Sequence, residues 1–509
     1  MSDSFRRAED LFRTEDFAGC AASCRALLTE DPGCRQAAHL LGVAQVRCGR
    51  PQEGIALLQR CLAAAPDDLV LRMDCALAID GAGESERAIA LLAAGARFHP
   101  GNPDLAARLA RLLSAHGRHR DAMAVLRAAL AARPAHLELR GLLAAELAAD
   151  LQINEALGQI RLLQAMFPEQ SPFYINEGVL QQSAGKVTLA IRAYRRALHI
   201  DPSNPLAHVN LGTALFTGGE YQAGFAHYEH RLALPGARPP PAGLPRWRGE
   251  DLSGKRLLLT SEQGYGDLLQ FIRFLPLAQR RGARLWLECP VEMRRLLASL
   301  PALSGVLSPG DAIPPLDLAA PLLSLPLLLG TGQDLLAGSI PYLKLPPNGP
   351  VLPPDSRPKI GLVWSGRPAT GELFTRRSLA RRSCALRELA VLWRNERFRW
   401  YGLQLGPATA ELAGTPITDL APLIGDFADS AALIGQLDVL ISIDTAAAHL
   451  AAALGRPVWL MLAPGQCDYR WNGTAGPSPW YPAVRLFRAG QGGWPALAAE
   501  IAGQLAQLG

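Results

Sequence analysis

The sequence predicts two kinds of structure in succession: an all-α array of helical repeats, then an α/β region with parallel sheets. Prolines recur every 34 residues through the first part of the chain, a period typical of paired-helix repeats. After residue 255, short apolar runs alternate with helical patterns, as in βαβ units. All nine tryptophans lie from Trp247 onward. This shift in composition supports a boundary between the two parts, with a Pro/Gly-rich linker at 239–254.

Three columns of residues with a common period define the array. The prolines are Pro32, Pro66, Pro100, Pro134, Pro168 and Pro202. Twenty-four residues before each proline stands a small residue: Ala8, Gly42, Ala76, Ala110, Ala144 and Gly178. Twelve residues before each proline stands a second one: Cys20, Gly54, Ala88, Ala122, Ala156 and Ala190. Small residues at both places allow paired helices to approach closely, and the proline ends the second helix.

This pattern resembles the tetratricopeptide repeat, whose period is also 34 residues. The resemblance assigns about seven units to residues 1–238 and implies a superhelix with an extended concave face. Such faces usually bind peptides or proteins, so a protein partner or acceptor is expected there. The alternative is a spacer or dimerisation stalk.

Composition narrows the class of protein. The 509 residues, 49% hydrophobic and 19% charged, indicate a globular protein of about three domains. Residues 1–238 carry 25 basic and 25 acidic residues, against 26 and 21 in the remainder. The positive excess suits a phosphate-bearing ligand and is too small to indicate nucleic acid. Without a predicted signal peptide or membrane span, and with nine scattered cysteines, the chain is expected to be cytoplasmic.

The segment 255–350 is predicted to be a Rossmann-like lobe. A strand at 255–260 leads through a Gly-rich turn into a helix at 268–280. Further elements are predicted as strands at 284–288, 305–307 and 316–319 and a helix at 293–300. Asp267 places a carboxylate at the first strand-to-helix turn, on the side of the sheet where ligands bind. Alternatively, Asp267 only caps the helix.

The segment 351–509 is predicted to be a second such lobe. Its strands are expected at 359–366, 399–403, 437–443 and 457–462. Asp444 ends an apolar strand, and His449 lies in the helix that follows. Ligands of open parallel sheets lie beyond the strand ends, where helix N-termini favour anions, so both residues are candidates for ligand binding. The alternatives are an N-cap for Asp444 and a satisfied core histidine for His449.

Other motifs, present or missing, indicate which ligands and reactions the sequence favours. The basic segment 375–383 could clamp a diphosphate, or form a solvated loop. The sequence has no Walker lysine motif, Gly-x-Ser-x-Gly elbow or zinc signature, and Gly264 and Gly266 do not complete a dinucleotide fingerprint. The pairs His116/His119 and His227/His230 have metal-ligand spacing but no added Cys or acidic ligand, which favours solvated surface over a metal site.

Longer stretches resemble the bacterial tetratricopeptide-repeat glycosyltransferases. The matching segments are 262–274, 323–326, 361–366, 382–383, 403–404, 444–449, 468–471 and 478–482. The catalytic part is similar to the heptosyltransferase family, which has a two-lobed GT-B fold, and the resemblance covers essentially the whole chain. It implies inverting transfer from a nucleotide-sugar donor, with no cofactor and no obligatory metal.

The resemblance also implies roles for single residues. Asp267 would be the general base that deprotonates the acceptor hydroxyl. Arg382 would neutralise the departing diphosphate, with Arg376 and Arg377 as rivals. The implied donor-binding residues are Gly264, Gly266, Arg382, Gln404, Asp444, Thr445, Ala446 and His449. Ala446 stands where the family has a glycine, and the loop 368–374 lacks the usual His and Asp.

These expectations combine into a glycosyltransferase whose first lobe takes the acceptor and whose second lobe takes the nucleotide sugar. The repeats would recruit a protein acceptor, and bacterial relatives with this layout suggest flagellin or another surface protein. One alternative is a glycan or lipopolysaccharide acceptor. Another is a non-catalytic scaffold built on a degenerate transferase.

Overall fold

The computed structural model describes residues 3–238, 241, 243–330, 340–366, 382–464, 468–471, 478–490 and 492–507. The chain forms two compact units, Met1–Pro168 and Glu169–Gly509. Their boundary falls at the fifth repeat proline, whereas composition alone placed a domain boundary at the linker 239–254.

The first unit consists of helix pairs. Its helices are α1 Asp3–Arg13, α2 Phe17–Glu30, α3 Arg35–Arg47, α4 Pro51–Ala64, α5 Leu69–Gly81, α6 Ser85–Phe98, α7 Pro103–Ala115, α8 His119–Ala132, α9 Leu137–Ala149 and α10 Ile153–Met166. From the second pair onward, the pairs begin at Arg35, Leu69, Pro103 and Leu137, each 34 residues after the last. The predicted period is confirmed.

Small residues at the helix crossings permit the close pairing. Every small residue predicted at a crossing of this unit is buried. A Cβ added to Gly54 would lie 2.5 Å from the carbonyl oxygen of Gly42, and one added to Gly42 would lie 2.8 Å from Cγ of Leu58. No side chain fits in these gaps, so the contact between α3 and α4 depends on both glycines.

The turn inside each pair has a left-handed residue at a fixed place. Gly49, Gly83 and Gly117 occupy it with φ of 78°, 85° and 78°. Glu15 and Leu151 occupy the same place in the first and fifth pairs, with φ of 62° and 61°. Left-handed backbone costs a residue with a Cβ roughly 1–2 kcal/mol, so these two turns are strained and the glycine turns are not.

The second unit begins with two further pairs of the same kind. They are α11 Ser171–Ser183, α12 Val187–Ile200, α13 Pro205–Thr217 and α14 Tyr221–Tyr228, followed by a 3₁₀ helix at Glu229–Ala233. Within α13, a Cβ on Gly212 would lie 2.8 Å from the Gly224 carbonyl oxygen. The same helix pairing therefore recurs in the second unit, and the helices of 3–228 make seven pairs.

A four-stranded parallel sheet follows. Its strands are β1 Arg256–Thr260, β2 Arg284–Glu288, β3 Leu303–Leu307 and β4 Leu318–Pro321, in the order β3-β2-β1-β4. Its helices are α15 Tyr265–Phe271, α16 Leu275–Arg280, α17 Val291–Leu297 and α18 Leu325–Leu328.

The single helix predicted at 268–280 is two helices joined by a 3₁₀ turn at Ile272–Phe274. Pro276 enters the first turn of α16, and it has no N–H to continue the α-helical bonding of α15. The helix α15 also starts three residues earlier than predicted, because Gly264 serves as its N-cap.

The second sheet has six parallel strands. They are β5 Lys359–Val363, β6 Arg399–Gly402, β7 Thr418–Asp419, β8 Val439–Ile443, β9 Val458–Leu462 and β10 Val484–Arg488, in the order β10-β9-β8-β5-β6-β7. Its helices are α19 Phe427–Ile434, α20 Ala446–Ala453 and α21 Gly493–Leu505. Every residue of β8 and β9 is buried, as expected for central strands covered on both faces.

Each sheet has a point where the strand order reverses. In the first sheet β4 lies on the opposite side of β1 from β2, and in the second β8 lies on the opposite side of β5 from β6. A crevice opens at such a switch point beyond the carboxyl ends of the strands, where α/β proteins bind ligands.

The last repeat shares a core with the sheet region. Phe216 of α13 lies 4.9 Å from Tyr469, and Tyr221 of α14 lies 5.6 Å from Trp480, between ring centroids. Arg231, only 5% exposed, donates two hydrogen bonds to the carboxylate of Glu262. This packing explains why the last two repeats belong to the second unit.

The predicted linker also takes part in this region. Trp247 is fully buried and its backbone N–H donates to the Ala319 carbonyl at 2.8 Å. The N–H of Ala319 in turn donates to the Pro245 carbonyl at 2.9 Å. The described part of the linker therefore lies along the outer side of β4, where it satisfies backbone groups at an edge of the sheet.

The longest described helices have 14 residues, and none is long and apolar enough to cross a membrane.

Candidate functional site

A cluster of charged side chains lies where the two sheets of the second unit meet. Asp267 is carried by α15, which follows β1, and Asp444 directly follows β8. Arg470 lies in the segment after β9 and bonds to Asp267. Residues that follow strands of both sheets thus contribute to this one cluster, at the carboxyl ends of the strands where ligands of open parallel sheets bind.

Asp267 is held by a backbone donor and a guanidinium. The N–H of Gly264 donates to its Oδ2 at 3.2 Å, and Arg470 forms an ion pair with its Oδ1. Asp267 therefore does help to cap α15, as the alternative interpretation proposed, but its carboxylate is also part of the charged cluster. Burial raises the pKa of Asp267 above its ordinary value, and the positive charge of Arg470 opposes that shift.

Asp444 lies deeper, with its side chain 8% exposed. It accepts a hydrogen bond from the indole N–H of Trp471 at 3.0 Å and lies 3.2 Å from NH1 of Arg382. Burial raises its pKa, the nearby Asp468 carboxylate raises it further, and Arg382 opposes both. The Arg382–Asp444 contact joins the segments after β5 and β8, the two strands at the switch point.

His449 packs behind these carboxylates. Its Nδ1 lies 3.0 Å from the Tyr481 hydroxyl, and its Nε2 lies 3.9 Å from Oδ1 of Asp444. Burial lowers its pKa well below the ordinary value, and the charges of Arg470, Arg273 and Arg382 add to that shift. The imidazole is therefore neutral at pH 7, as a satisfied core histidine would be, although it lines the cluster.

Gly266 is required by this packing. A Cβ at this position would lie 2.8 Å from Cδ2 of His449. The absence of a side chain lets α15 approach α20 closely, so Gly266 acts here through contact between the two sheet regions.

Thr445 is the N-cap residue of α20, and its Oγ1 lies 3.0 Å from the Ser442 hydroxyl. No side chain among the described residues caps the first turn there, which Ala446 begins. The backbone N–H groups of that turn make a helix N-terminus suited to an anion.

The side chain of Gln404 is hydrogen-bonded to the backbone on both its oxygen and its nitrogen. Its Oε1 accepts from the N–H groups of Trp364 and Ser365 at 3.2 and 2.9 Å, and its Nε2 donates to the carbonyls of Ser365 and Leu405 at 3.0 Å each. The side chain is 4% exposed and fixes the turn after β5.

The guanidinium group of Arg382 is only partly hydrogen-bonded. Its NH1 contacts Asp444, but its Nε is buried without a hydrogen-bond partner among the described residues. A buried N–H donor of this kind costs free energy unless it binds an acceptor, so an anion could satisfy it. The rivals Arg376 and Arg377 and the loop 368–374 lie outside the described residues.

Sequence reasoning alone assigns no site role to Arg470 or its neighbours. The segment Asp468-Tyr-Arg-Trp471 matched the family resemblance, but no local pattern assigned it a role. The structure shows Arg470 bonded to Asp267, Gln270 and Asp468, and Trp471 bonded to Asp444. The described residues contain no group of three or more His, Cys, Asp or Glu side chains arranged to hold a metal ion.

The cluster combines features suited to group transfer from a phosphate ester. It offers the partly exposed carboxylate of Asp267, the guanidinium groups of Arg382 and Arg470, and the N-terminus of α20. A carboxylate can accept a proton from a hydroxyl, and the cationic groups can stabilise a departing phosphate.

Three family models match the N-terminal part. Models described as tetratricopeptide repeat match residues 5–68 and 81–146, and one described as TPR repeat matches 183–219. A curated relative is Protein FlbA of Caulobacter vibrioides, 26% identical over 382 residues, which are 66% of this chain and 61% of FlbA. The chain therefore spans less than two thirds of that relative.

Solved structures resemble parts of the chain at low scores. A tetratricopeptide repeat protein from Parabacteroides merdae is 15% identical, with 46% of this chain and 94% of that chain covered and a TM-score of 0.36. MamA from Desulfovibrio magneticus is 21% identical, with 32% and 93% covered and a TM-score of 0.29. YrrB, titled a TPR protein with an unusual peptide-binding site, is 17% identical, with 37% and 96% covered and a TM-score of 0.30. The family models, together with the helix pairs and strands described above, show tetratricopeptide repeats in an all-helical N-terminal part, followed by a C-terminal region built on parallel sheets.

Proposed function

We propose that the second unit is an inverting, metal-independent glycosyltransferase of the GT-B type that uses a nucleotide-sugar donor. One observation carries the proposal: Asp267, from the first sheet, lies in the same charged cluster as Asp444 and His449, from the second. A transferase of this type needs a base on the acceptor side and phosphate-binding groups on the donor side.

The proposed reaction is a direct displacement. The acceptor hydroxyl oxygen forms a bond to the anomeric carbon while the bond from that carbon to the diphosphate oxygen breaks. Asp267 accepts the hydroxyl proton, and the nucleoside diphosphate leaves with the bonding electron pair. A positioned base contributes typically 10²–10⁴-fold to such a step.

The donor side is assigned to Arg382 and the start of α20. The buried, unpartnered Nε of Arg382 could donate to a phosphate oxygen, and the N–H groups after Thr445 could bind another. Both lie beyond the strand ends at the switch point between β5 and β8. Gln404, Asp444 and His449 hold this side in place through the contacts given above.

The acceptor is proposed to be a protein that binds to the repeats. Tetratricopeptide repeats commonly bind peptides, and five of the seven pairs form a compact unit of their own, separate from the sheets. FlbA, at 26% identity, supports a related role only weakly. Flagellin or another bacterial surface protein remains our candidate acceptor.

A thermal-shift screen of nucleotide sugars on the full chain tests the donor side. A ligand at one hundred times its Kd stabilises the folded state by about 2.7 kcal/mol, which raises Tm by several degrees. Asp267→Asn should keep the donor-induced shift while turnover falls by about 10²–10⁴-fold. Arg382→Ala should reduce the shift produced by the nucleoside diphosphate itself.

The matched control is Arg387→Ala, which removes an exposed arginine five residues further along the chain and should leave both readouts unchanged. If no nucleotide sugar stabilises the protein, the non-catalytic scaffold is the better explanation. If Asp267→Asn binds donor and turns over normally, Asp267 is not the base.

A further inference from the structure

Arg470 is the one side chain among the described residues that bonds directly to the carboxylate of Asp267. Its Nε donates to Oε1 of Gln270, which lies on α15 with Asp267, and its NH1 lies 2.9 and 3.2 Å from the two carboxylate oxygens of Asp468. The residue is 8% exposed. The planar guanidinium therefore connects the segment after β9 to the helix after β1.

These bonds fix the orientation of Asp267. Arg470 holds Oδ1, and the Gly264 N–H holds Oδ2 at 3.2 Å. A carboxylate held at both oxygens loses its freedom to rotate, yet each oxygen can still accept another hydrogen bond. The arrangement therefore leaves the carboxylate able to accept a hydrogen bond from an acceptor hydroxyl, and it fixes the directions in which the remaining lone pairs point.

The same contact controls the charge of Asp267. Burial and the neighbouring Asp468 carboxylate both favour protonated Asp267, and Arg470 acts in the opposite sense. Two neighbouring arginines are engaged elsewhere: Arg382 contacts Asp444, and Arg273 donates to the Trp480 carbonyl and the Tyr342 hydroxyl. Arg470 is thus the cation placed to keep this carboxylate charged.

We propose that Arg470 is a positioning residue for the transfer reaction, which holds Asp267 ionised and in a single orientation from the opposite sheet region. This inference rests on the proposed function. The base would then be competent only while the segment after β9 is docked on α15, because Arg470 belongs to one and Asp267 to the other.

The test is the pH dependence of turnover, measured as release of nucleoside diphosphate from the donor identified in the thermal-shift screen. The acid limb of the pH profile is the range in which turnover falls as the pH is lowered and Asp267 becomes protonated. In Arg470→Gln this limb should move up by roughly one to three pH units, because an opposite charge at this distance lowers the pKa of a carboxylate by that amount. Turnover lost at pH 7 should return in part as the pH is raised. Arg470→Lys keeps the charge, so its acid limb should stay near that of the wild type even if turnover falls.

Two further variants test whether the charge of Arg470 is what moves the acid limb. In Arg470→Gln/Asp468→Asn the like charge is also removed, so the acid limb should move back down relative to Arg470→Gln alone. Arg273→Gln removes another buried arginine, 3% exposed, that does not contact Asp267. That variant should lower turnover equally at every pH, without moving the acid limb.

A double-mutant cycle on unfolding needs no substrate and so separates this inference from the proposed function. Arg470→Gln and Asp267→Asn should be coupled at pH 7, and the coupling should shrink as the pH is lowered and the carboxylate is protonated. Because all tryptophans follow residue 246, tryptophan fluorescence reports unfolding of the second unit. If Arg470→Gln does not fold, the same cycle is run with Arg470→Lys, for which weaker coupling is expected.

An acid limb that stays in place in Arg470→Gln, with turnover lowered equally at all pH values, would overturn the inference and leave Arg470 a purely structural residue. The absence of coupling between Arg470→Gln and Asp267→Asn at pH 7 would also overturn the inference. A pH-dependent coupling in a protein that binds no nucleotide sugar would support the ion-pair role and reject the transferase.

Discussion

The buried imidazole of His449 should make the stability of the second unit depend on pH. It is 4% exposed, and burial together with three arginines lowers its pKa well below the ordinary value of about 6.5. The unfolded chain binds a proton near that ordinary value, whereas the folded chain binds it only at lower pH. Stability should therefore decrease as the pH falls below about 6.5, with a slope of up to about 1.4 kcal/mol per pH unit.

His449→Gln should remove this dependence while keeping a polar partner for Tyr481. The measurement is urea unfolding of both proteins between pH 7.5 and 5, followed by tryptophan fluorescence. Subtracting the two curves removes the contributions of groups common to both, including the buried carboxylates whose shifts have the opposite sign. Parallel curves over this range would show that His449 does not remain neutral when folded.

The sequence could predict part of this site because part of it is local. Asp444 directly follows a strand, and His449 lies five residues later in the helix after it. The hydrophobic pattern alone therefore places both residues at one strand end. The Asp267–Arg470 ion pair spans 203 positions. No local periodicity encodes such a pairing, because it depends on how the two sheets pack, and Arg470 could not be assigned a role for that reason.

At the level of elements, the turn between paired helices offers a test of backbone strain. Leu151 has φ of 61° where Gly49, Gly83 and Gly117 stand in neighbouring pairs. Leu151→Gly should stabilise the first unit by about 1 kcal/mol, since glycine adopts this conformation without steric cost. The exposed leucine side chain, at 46%, gives little packing to lose.

Gly117→Ala is the matched opposite change in the same kind of turn and should destabilise by a similar amount. Far-UV circular dichroism during thermal unfolding is the appropriate measurement, because the first unit has no tryptophan. Equal stability of Leu151→Gly and the wild type would mean that these turns relax without strain.

The 34-residue period predicted the helix pairs well because each pair is specified by its own proline and small residues. The helix at 268–280 was predicted less well, since its apolar pattern runs unbroken through Pro276. The described part of the predicted linker was missed as an ordered segment. Its bonds to β4 are backbone bonds, which leave no trace in side-chain pattern.

For the whole molecule, the position of the unit boundary predicts which fragments fold. A fragment of residues 169–509 keeps the Phe216–Tyr469 and Arg231–Glu262 contacts, whereas one of residues 252–509 loses both. The longer fragment should unfold cooperatively and bind donor like the full chain. The shorter one should aggregate or unfold without cooperativity, because an apolar face is exposed and Glu262 loses its partner.

Cooperative unfolding and solubility, measured by tryptophan fluorescence and gel filtration, distinguish these outcomes. A soluble, cooperatively folded 252–509 fragment would contradict the shared core. If the first five repeats recruit the acceptor, the 169–509 fragment should also fail to modify the natural target while still binding donor.

The shared core of the last repeat and the sheets also limits how such a protein can be recombined. An exchange of repeats between related chains, by evolution or by grafting, is tolerated most readily where few contacts are cut, and here that place is near Pro168. The last two helix pairs would have to be inherited together with the sheets, because a new residue at Phe216 must still match Tyr469. New binding specificity can therefore be acquired by replacing the first five repeats as a block, while the final two descend with the sheets.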